Sequence, residues 1–352
     1  MYGIEIQKLV AKAKILKNYD DKIELIKQAV SIADSKNNIE WGVELRRMIM
    51  EFEYYTPHFY ETYLIINWFV GMQSNEPDLI ENEDFLWNYK HAISEILYNP
   101  SITKEAKELI EKDYVQRMTD SGFSIRPFYD IYFRYYTFLQ NKDKAIEFRN
   151  LRNAEIHDYM SNCEACELDN DVDFALLLNQ IDEAKDLATP LLTNKKTCAR
   201  VPLITNINFT KFYTEKGELD AAKKYYQVAI DELEVKNDAL VYLKYGLSLL
   251  NYLIESNQEQ IALKNIEAAF PLLKNASDEL HFLANRNIAN CFSKMKQETI
   301  TIHFPDWFEK FQPNNVYNLN ELIQYFNEKV NSFIYQIDER NENDEFKNVY
   351  LK

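Results

Sequence analysis

Glycine and proline are scarce in this chain, 6 and 9 residues among 352. Sheet hairpins draw on both, because glycine reaches positive φ without strain and proline presets a turn. That scarcity argues against a sheet-rich fold and for helices joined by short polar loops. Cysteine is sparse too, with 4 residues, which is no disulfide framework for a chain of this size and predicts a reducing compartment. The most apolar window, residues 64–72, falls far short of the roughly 20 residues that span a bilayer. The opening segment MYGIEIQKLVAKAK is amphipathic and has no apolar core followed by a cleavage site, so no secretory leader is read there. A cytoplasmic location is expected.

Basic residues are outnumbered, 40 against 56 acidic ones, for a net charge of −16. A field of that sign repels phosphate backbones and anionic lipid, so neither nucleic acid nor membrane is expected as a partner. A protein or peptide with a basic patch is attracted instead. The plainer reading is that acidity keeps a helix-rich chain in solution.

Elements of known chemistry are missing as well. The glycines (3, 42, 71, 122, 217 and 246) stand too far apart for a dinucleotide fingerprint or a P-loop. Gly246 and Ser248 lack the second glycine of a nucleophile elbow, Leu250 standing in its place. The five histidines form no HExxH pair. Asp169, Asp171 and Asp173 imitate the start of a calcium loop, but Phe174 replaces its glycine and Gln180 its bidentate glutamate. They read as a solvated acidic turn of a helix. No enzyme is expected from these absences, and no cofactor except zinc, considered below.

Helical periodicity is what the chain has in abundance. In NINFTKFYTEKGELDAAKKYYQVAIDEL, residues 206–233, Phe209, Phe212 and Tyr213 line one helix face. Gly217 then breaks the pattern as a left-handed helix end does, and Leu219, Ala222, Tyr226, Ala229 and Ile230 form a second stripe. Ala145, Ala184 and Ala262 sit in weaker copies of this pattern, so the alanine anchors recur every 38 to 40 residues. Asn179 falls near a turn position, and Pro271 where a second helix should stop. At the N-terminus Ile23, Ile26, Ala29, Val30 and Ala33 form another stripe. Two aromatic-rich stretches, residues 52–69 and 128–139, read as helices buried on several sides.

This pattern resembles the tetratricopeptide repeat, with aromatics on a first helix, a turn glycine, then Ala, aromatic and Ala on a second. The spacing exceeds that family's period of about 34 residues. FLWNYKHAI, CEACE and DERNENDEF are in addition loosely similar to parts of bacterial repeat proteins without known activity. The resemblance implies an all-α fold, an α-solenoid of tetratricopeptide-like hairpins closed by a capping C-terminal helix. Three segments are expected: N-terminal helical hairpins over 1–75, repeats over 85–300, and a capping segment over 301–352. Residues 74–84 read as an acidic loop ending in a helix N-cap at Glu83 or Asp84. Residues 300–315, with Pro305 and Pro313, read as an interruption, and the polar tail after Asp338 is expected to fray.

In the family, first helices line a concave groove that grips extended peptides with Asn and Lys or Arg. The positions that match here are Asn206, Asn208 and Lys211 on one helix, and Asn285, Arg286, Asn287 and Asn290 on a later one. An Asn amide both donates and accepts, as a peptide backbone does. Cys163 and Cys166 form a C-x-x-C with Cys198 further on and His157 just before. Three readings stand for them: packing thiols, a zinc site or a redox-responsive disulfide. Three functional classes stand as well. One is an interaction module that neutralises or scaffolds one partner protein or peptide in a bacterial-type cytoplasm. The others are a peptide-sensing receptor without a DNA-binding domain, and a zinc- or thiol-dependent enzyme.

Overall fold

The computed structural model describes residues 2–76, 79–236 and 238–351. Among them are eighteen α-helices and one two-stranded sheet, and none of these helices is long and apolar enough to cross a membrane. The chain divides into two compact units. The first comprises Met1–Tyr98, Ile102–Ile131 and Leu151–Ser161, and the second Asn99–Ser101, Tyr132–Asn150 and Asn162–Lys352.

The first unit contains α1 (Tyr2–Ile15), α2 (Tyr19–Ser35), α3 (Ile39–Glu53), α4 (Glu61–Asn75), α5 (Leu86–Ile96), α6 (Lys104–Asp120) and the start of α7 (Arg126–Phe138). From α1 to α6, each helix packs against the next along the chain. Asn18 and Asn38 begin α2 and α3, their side chains accepting from the Asp21 and Trp41 N–H groups and so satisfying donors a helix start leaves orphaned. Ile23, Ile26, Ala29 and Ala33 are buried along the inner face of α2.

Two expectations are corrected here. Residues 52–69 are not one buried helix: α3 stops at Glu53 and α4 starts at Glu61. Pro57 lies in the loop between them, and Tyr55 and Tyr60 there are 40% and 52% exposed. The acidic stretch 74–84 begins inside α4 and ends in a 3-10 turn, Asn82–Asp84, in which Glu81 and Asp84 cap each other's backbone. Glu81 caps only this 3-10 turn; α5 itself starts from Phe85 without a side-chain cap, so the cap expected at Glu83 or Asp84 is not formed there, while Pro77 and Asp78 lie outside the described residues.

The second unit contains the end of α7, most of α8 (Lys142–Ala154), and α9 (Glu164–Leu177), α10 (Ile181–Leu192), α11 (Leu203–Glu215), α12 (Leu219–Lys236), α13 (Ala239–Lys244), α14 (Leu250–Glu255), α15 (Glu259–Ala269), α16 (Asp278–Ser293), α17 (Leu319–Asn341) and α18 (Glu345–Tyr350). Neighbours pair as α9 with α10, α11 with α12, α14 with α15, and α16 with α17. Stacking of Phe148 on Tyr132 and Tyr136 joins α8 to α7.

Four turns between paired helices are built alike. Gln140, Asn179, Gly217 and Asn257 each take a left-handed φ between 53° and 75°. In each, the left-handed residue's N–H bonds the carbonyl three residues back, and the next N–H bonds the carbonyl five back. This is the Schellman ending, which satisfies carbonyls that a helix terminus leaves unpaired. Five residues after each stand Ala145, Ala184, Ala222 and Ala262, all 0% exposed. A methyl side chain at that point lets the second helix close on its neighbour. Asn37 makes the same ending in the first unit, with Gly42 five residues on. Across hairpins, Tyr226 of α12 meets Tyr252 of α14 at a ring distance of 4.5 Å.

The C-terminal region departs from the expected plan twice. The proline-bearing interruption is flanked by two strands, β1 (Thr299–Thr301) and β2 (Val316–Asn318), paired antiparallel. Their alternation buries Ile300 and Tyr317 and exposes the flanking residues, the period of a half-buried strand. The tail after Asp338 does not fray. Asp338, fully buried, accepts the N–H groups of Phe346 and Lys347 at 3.0 and 2.9 Å, and α18 sets Phe346 between Phe282 and Phe333.

Candidate binding groove and thiol cluster

A cavity of about 300 Å³ opens in the second unit, within the size range of ligand sites. Its lining comes from α7 (Phe138), α9 (Asp173), α11, the α13–α14 segment and α16. Each of these is the first member of its helix pair, and none of the lining residues comes from α8, α10, α12, α15 or α17. α14 touches both α11 and α16, so those two helices flank it.

Of the residues singled out in the sequence, Asn208, Lys211, Arg286, Asn287 and Asn290 line this groove. Asn206 does not: it is 3% exposed, and its amide donates to the Pro202 carbonyl one turn back. Asn285 is half-buried but outside the lining. The half-buried amides of Asn208 and Asn287 make no hydrogen bond to the protein among the described residues, whereas Asn251 accepts from Lys294.

The lining is mixed in charge. Lys211, Lys244, Arg286 and Lys294 stand with Asp173, Glu215 and Glu279, four cations to three carboxylates, on a chain of net charge −16. Lys244 is paired with Glu279 at 2.6 Å, and Lys294 with Glu255 at 2.5 Å. The Arg286 guanidinium lies 4.6 Å over the Tyr350 ring, a cation–π contact, and the Tyr350 hydroxyl donates to the Phe138 carbonyl.

Sequence reasoning missed that α9 buries acidic side chains. Asp169 is no solvated turn residue: it is 5% exposed and accepts a hydrogen bond from Thr205. Burial pushes it up to about 7, against the Thr205 hydrogen bond and with help from the Asp173 charge. One turn along α9, burial also raises Asp173, opposed by Lys211 and reinforced by Glu215. Asp171 pairs with Arg149 at 2.8 Å. The signal available was the four-residue spacing of Asp169 and Asp173, which puts both on one helix face. Tyr245, Ser248, Asn251 and Glu279 also line the groove, and no motif marks them.

A second cluster lies where α9 begins. Cys163 is the N-cap of α9 and Cys166 stands in its first turn, so the C-x-x-C straddles a helix start rather than lying within the helix. Cys198, in the chain leading to α11, joins them, and the three sulfurs lie within 4.8 Å of one another. Cys163 is exposed and the other two are half-buried. Hydrogen bonds from Cys166, then from Cys163 and the Ala199 and Arg200 backbone N–H groups, outweigh burial and lower Cys198 to about 5. Cys166 is raised in turn, by its hydrogen bond to Cys198 and by burial. His157 is exposed in the first unit and is not a member of the thiol group. Cys291 is 1% exposed in the apolar core.

Compared with protein-family models, curated proteins and solved structures, the chain matches none. What the fold and site define is therefore a class: an all-α protein of neighbouring helix pairs with a polar groove of mixed charge.

Proposed function

We propose that the second unit is a tetratricopeptide-like α-solenoid that holds an extended peptide, or an extended segment of one partner protein, in the groove between its first helices. Four matching turns, each followed five residues later by a buried alanine, support the repeat reading. One observation carries the binding reading. Asn208 and Asn287 turn half-buried amides to a common cavity without a protein hydrogen bond among the described residues. A ligand that displaces water from these amides must replace the hydrogen bonds it removes, and an extended peptide offers each both a carbonyl and an N–H. Lys211, Arg286 and Glu215 then select among side chains, and the mixed lining favours a ligand of mixed charge over a uniformly basic one. The role is binding rather than catalysis, as in a module that neutralises or scaffolds its partner.

The test is selection from a random peptide library on the immobilised chain, followed by affinity measurement with Asn208→Ala/Lys211→Ala and Asn287→Ala variants. Each is expected to weaken the selected peptide about tenfold or more, in line with about 1–2 kcal/mol per lost polar contact. Equal affinity in all three proteins places the ligand elsewhere and rejects this groove.

A further inference from the structure

We propose that Cys163, Cys166 and Cys198 form a zinc site that fastens the first turn of α9 to the chain entering α11. Three sulfurs converge on one point, one more than a disulfide uses, and all lie within 4.8 Å of one another. A tetrahedral zinc–thiolate site has Zn–S of about 2.3 Å, which sets its sulfurs about 3.8 Å apart. Closing the cluster onto an ion therefore needs side-chain shifts of about 1 Å.

The surroundings suit a thiolate-bound cation. Cys163 and Cys166 sit at a helix N-terminus, where the helix dipole favours negative ligands. The Ala199 and Arg200 backbone N–H groups bond the Cys198 sulfur, the kind of outer contact that orients a metal ligand. The loop carrying Cys198 is already held in place. Lys196 pairs with Glu164 at 3.0 Å, Arg200 with Asp238 at 3.1 Å, and the Cys198 N–H bonds the Val201 carbonyl. Each thiol that binds releases its proton to the buffer. Exposed Cys163 leaves the fourth position to a water ligand. Because α9 carries Asp173 and α11 carries Asn208 and Lys211, the ion stiffens two of the helices that line the groove. The site itself stands whether or not the groove binds a peptide.

The full chain, purified reduced and without chelator, is loaded with zinc, freed of excess, and analysed for bound metal. Cobalt(II) titration reports thiolate ligation through its charge-transfer bands. One equivalent is expected, with a tetrahedral thiolate-rich cobalt spectrum. Cys198→Ser should weaken binding about tenfold or more, and Cys291→Ser should not. Unmutated protein supplies an independent reading, since zinc should shield Cys163, Cys166 and Cys198 from alkylation as mapped by mass spectrometry. Sub-stoichiometric metal, an alkylation pattern unchanged by zinc, or undiminished binding by Cys198→Ser overturns the proposal. So does a disulfide that forms in air as readily with zinc present as without.

Discussion

Glu53 is 0% exposed, yet it keeps its charge because four donors surround it. Its carboxylate accepts the N–H groups of Tyr60, Glu61 and Thr62 at 2.7 to 2.9 Å and faces His58 Nδ1 at 3.3 Å. Burial pushes Glu53 up, but these hydrogen bonds outweigh it and hold the group below its ordinary 4.5. Burial pushes His58 down, and hydrogen bonds to Glu53 and Asp20 outweigh that too, leaving it above 6.5. A lowered carboxylate stabilises fully above its unfolded value and loses this as pH falls through its folded one. A raised histidine stabilises fully below its unfolded value and loses this as pH rises through its folded one. Both contributions are therefore complete between 4.5 and 6.5. The denaturation midpoint of the first unit should fall from about pH 5.5 to about pH 8.5, and His58→Leu should flatten that slope. An unchanged slope in the variant assigns the effect to other groups. None of this was legible in the sequence, because residues five and more apart in an irregular loop meet only once the loop has folded. Asp169 teaches the same lesson, since three alternating aspartates look solvated until Thr205 and a neighbouring helix cover one of them.

At the scale of elements the sequence was far more informative. The left-handed turn residue and the alanine five positions on are both local requirements, one of backbone sterics and one of helix approach. They recur at four turns between paired helices, which is why the anchors at 145, 184, 222 and 262 could be read directly. Replacing Ala222 by Leu forces three further carbons into a site that is 0% exposed. Overpacking of this kind should cost about 1–3 kcal/mol, read as a lowered urea midpoint, whereas a midpoint within experimental error of the original removes the close-approach argument. The short elements were not legible. Two three-residue strands and the six-residue α18 carry too few residues for a period to show, and each is held by contacts distant in sequence.

The longest of those contacts close the second unit on itself. Lys144 pairs with Glu345 at 2.8 Å, Arg340 donates to the Asn99 carbonyl at 3.1 Å, and Tyr350 to the Phe138 carbonyl at 3.0 Å. Phe346, 0% exposed, is the apolar centre of that closure. Phe346→Ala should destabilise the chain by about 3–5 kcal/mol in chemical denaturation and loosen the Tyr350 side of the groove. A loss below about 1 kcal/mol would mean that α18 contributes little. Net charge also belongs to this scale. The sequence establishes an acidic chain, and only the folded arrangement gathers four cations beside three carboxylates in one groove.

By itself the sequence determined the predominance of helix, the anchor alanines and several of the turns between helices, because periodicity, capping and left-handed residues act within a few positions of chain. Tertiary structure alone decided which polar residues share a cavity. Asn206 and Asn208 are two positions apart, and helical geometry sends one into the core and the other to the groove. Cys198 reaches Cys163 and Cys166 only because the chain entering α11 crosses the start of α9. Side chains far apart in sequence come together through packing, and no local rule specifies that.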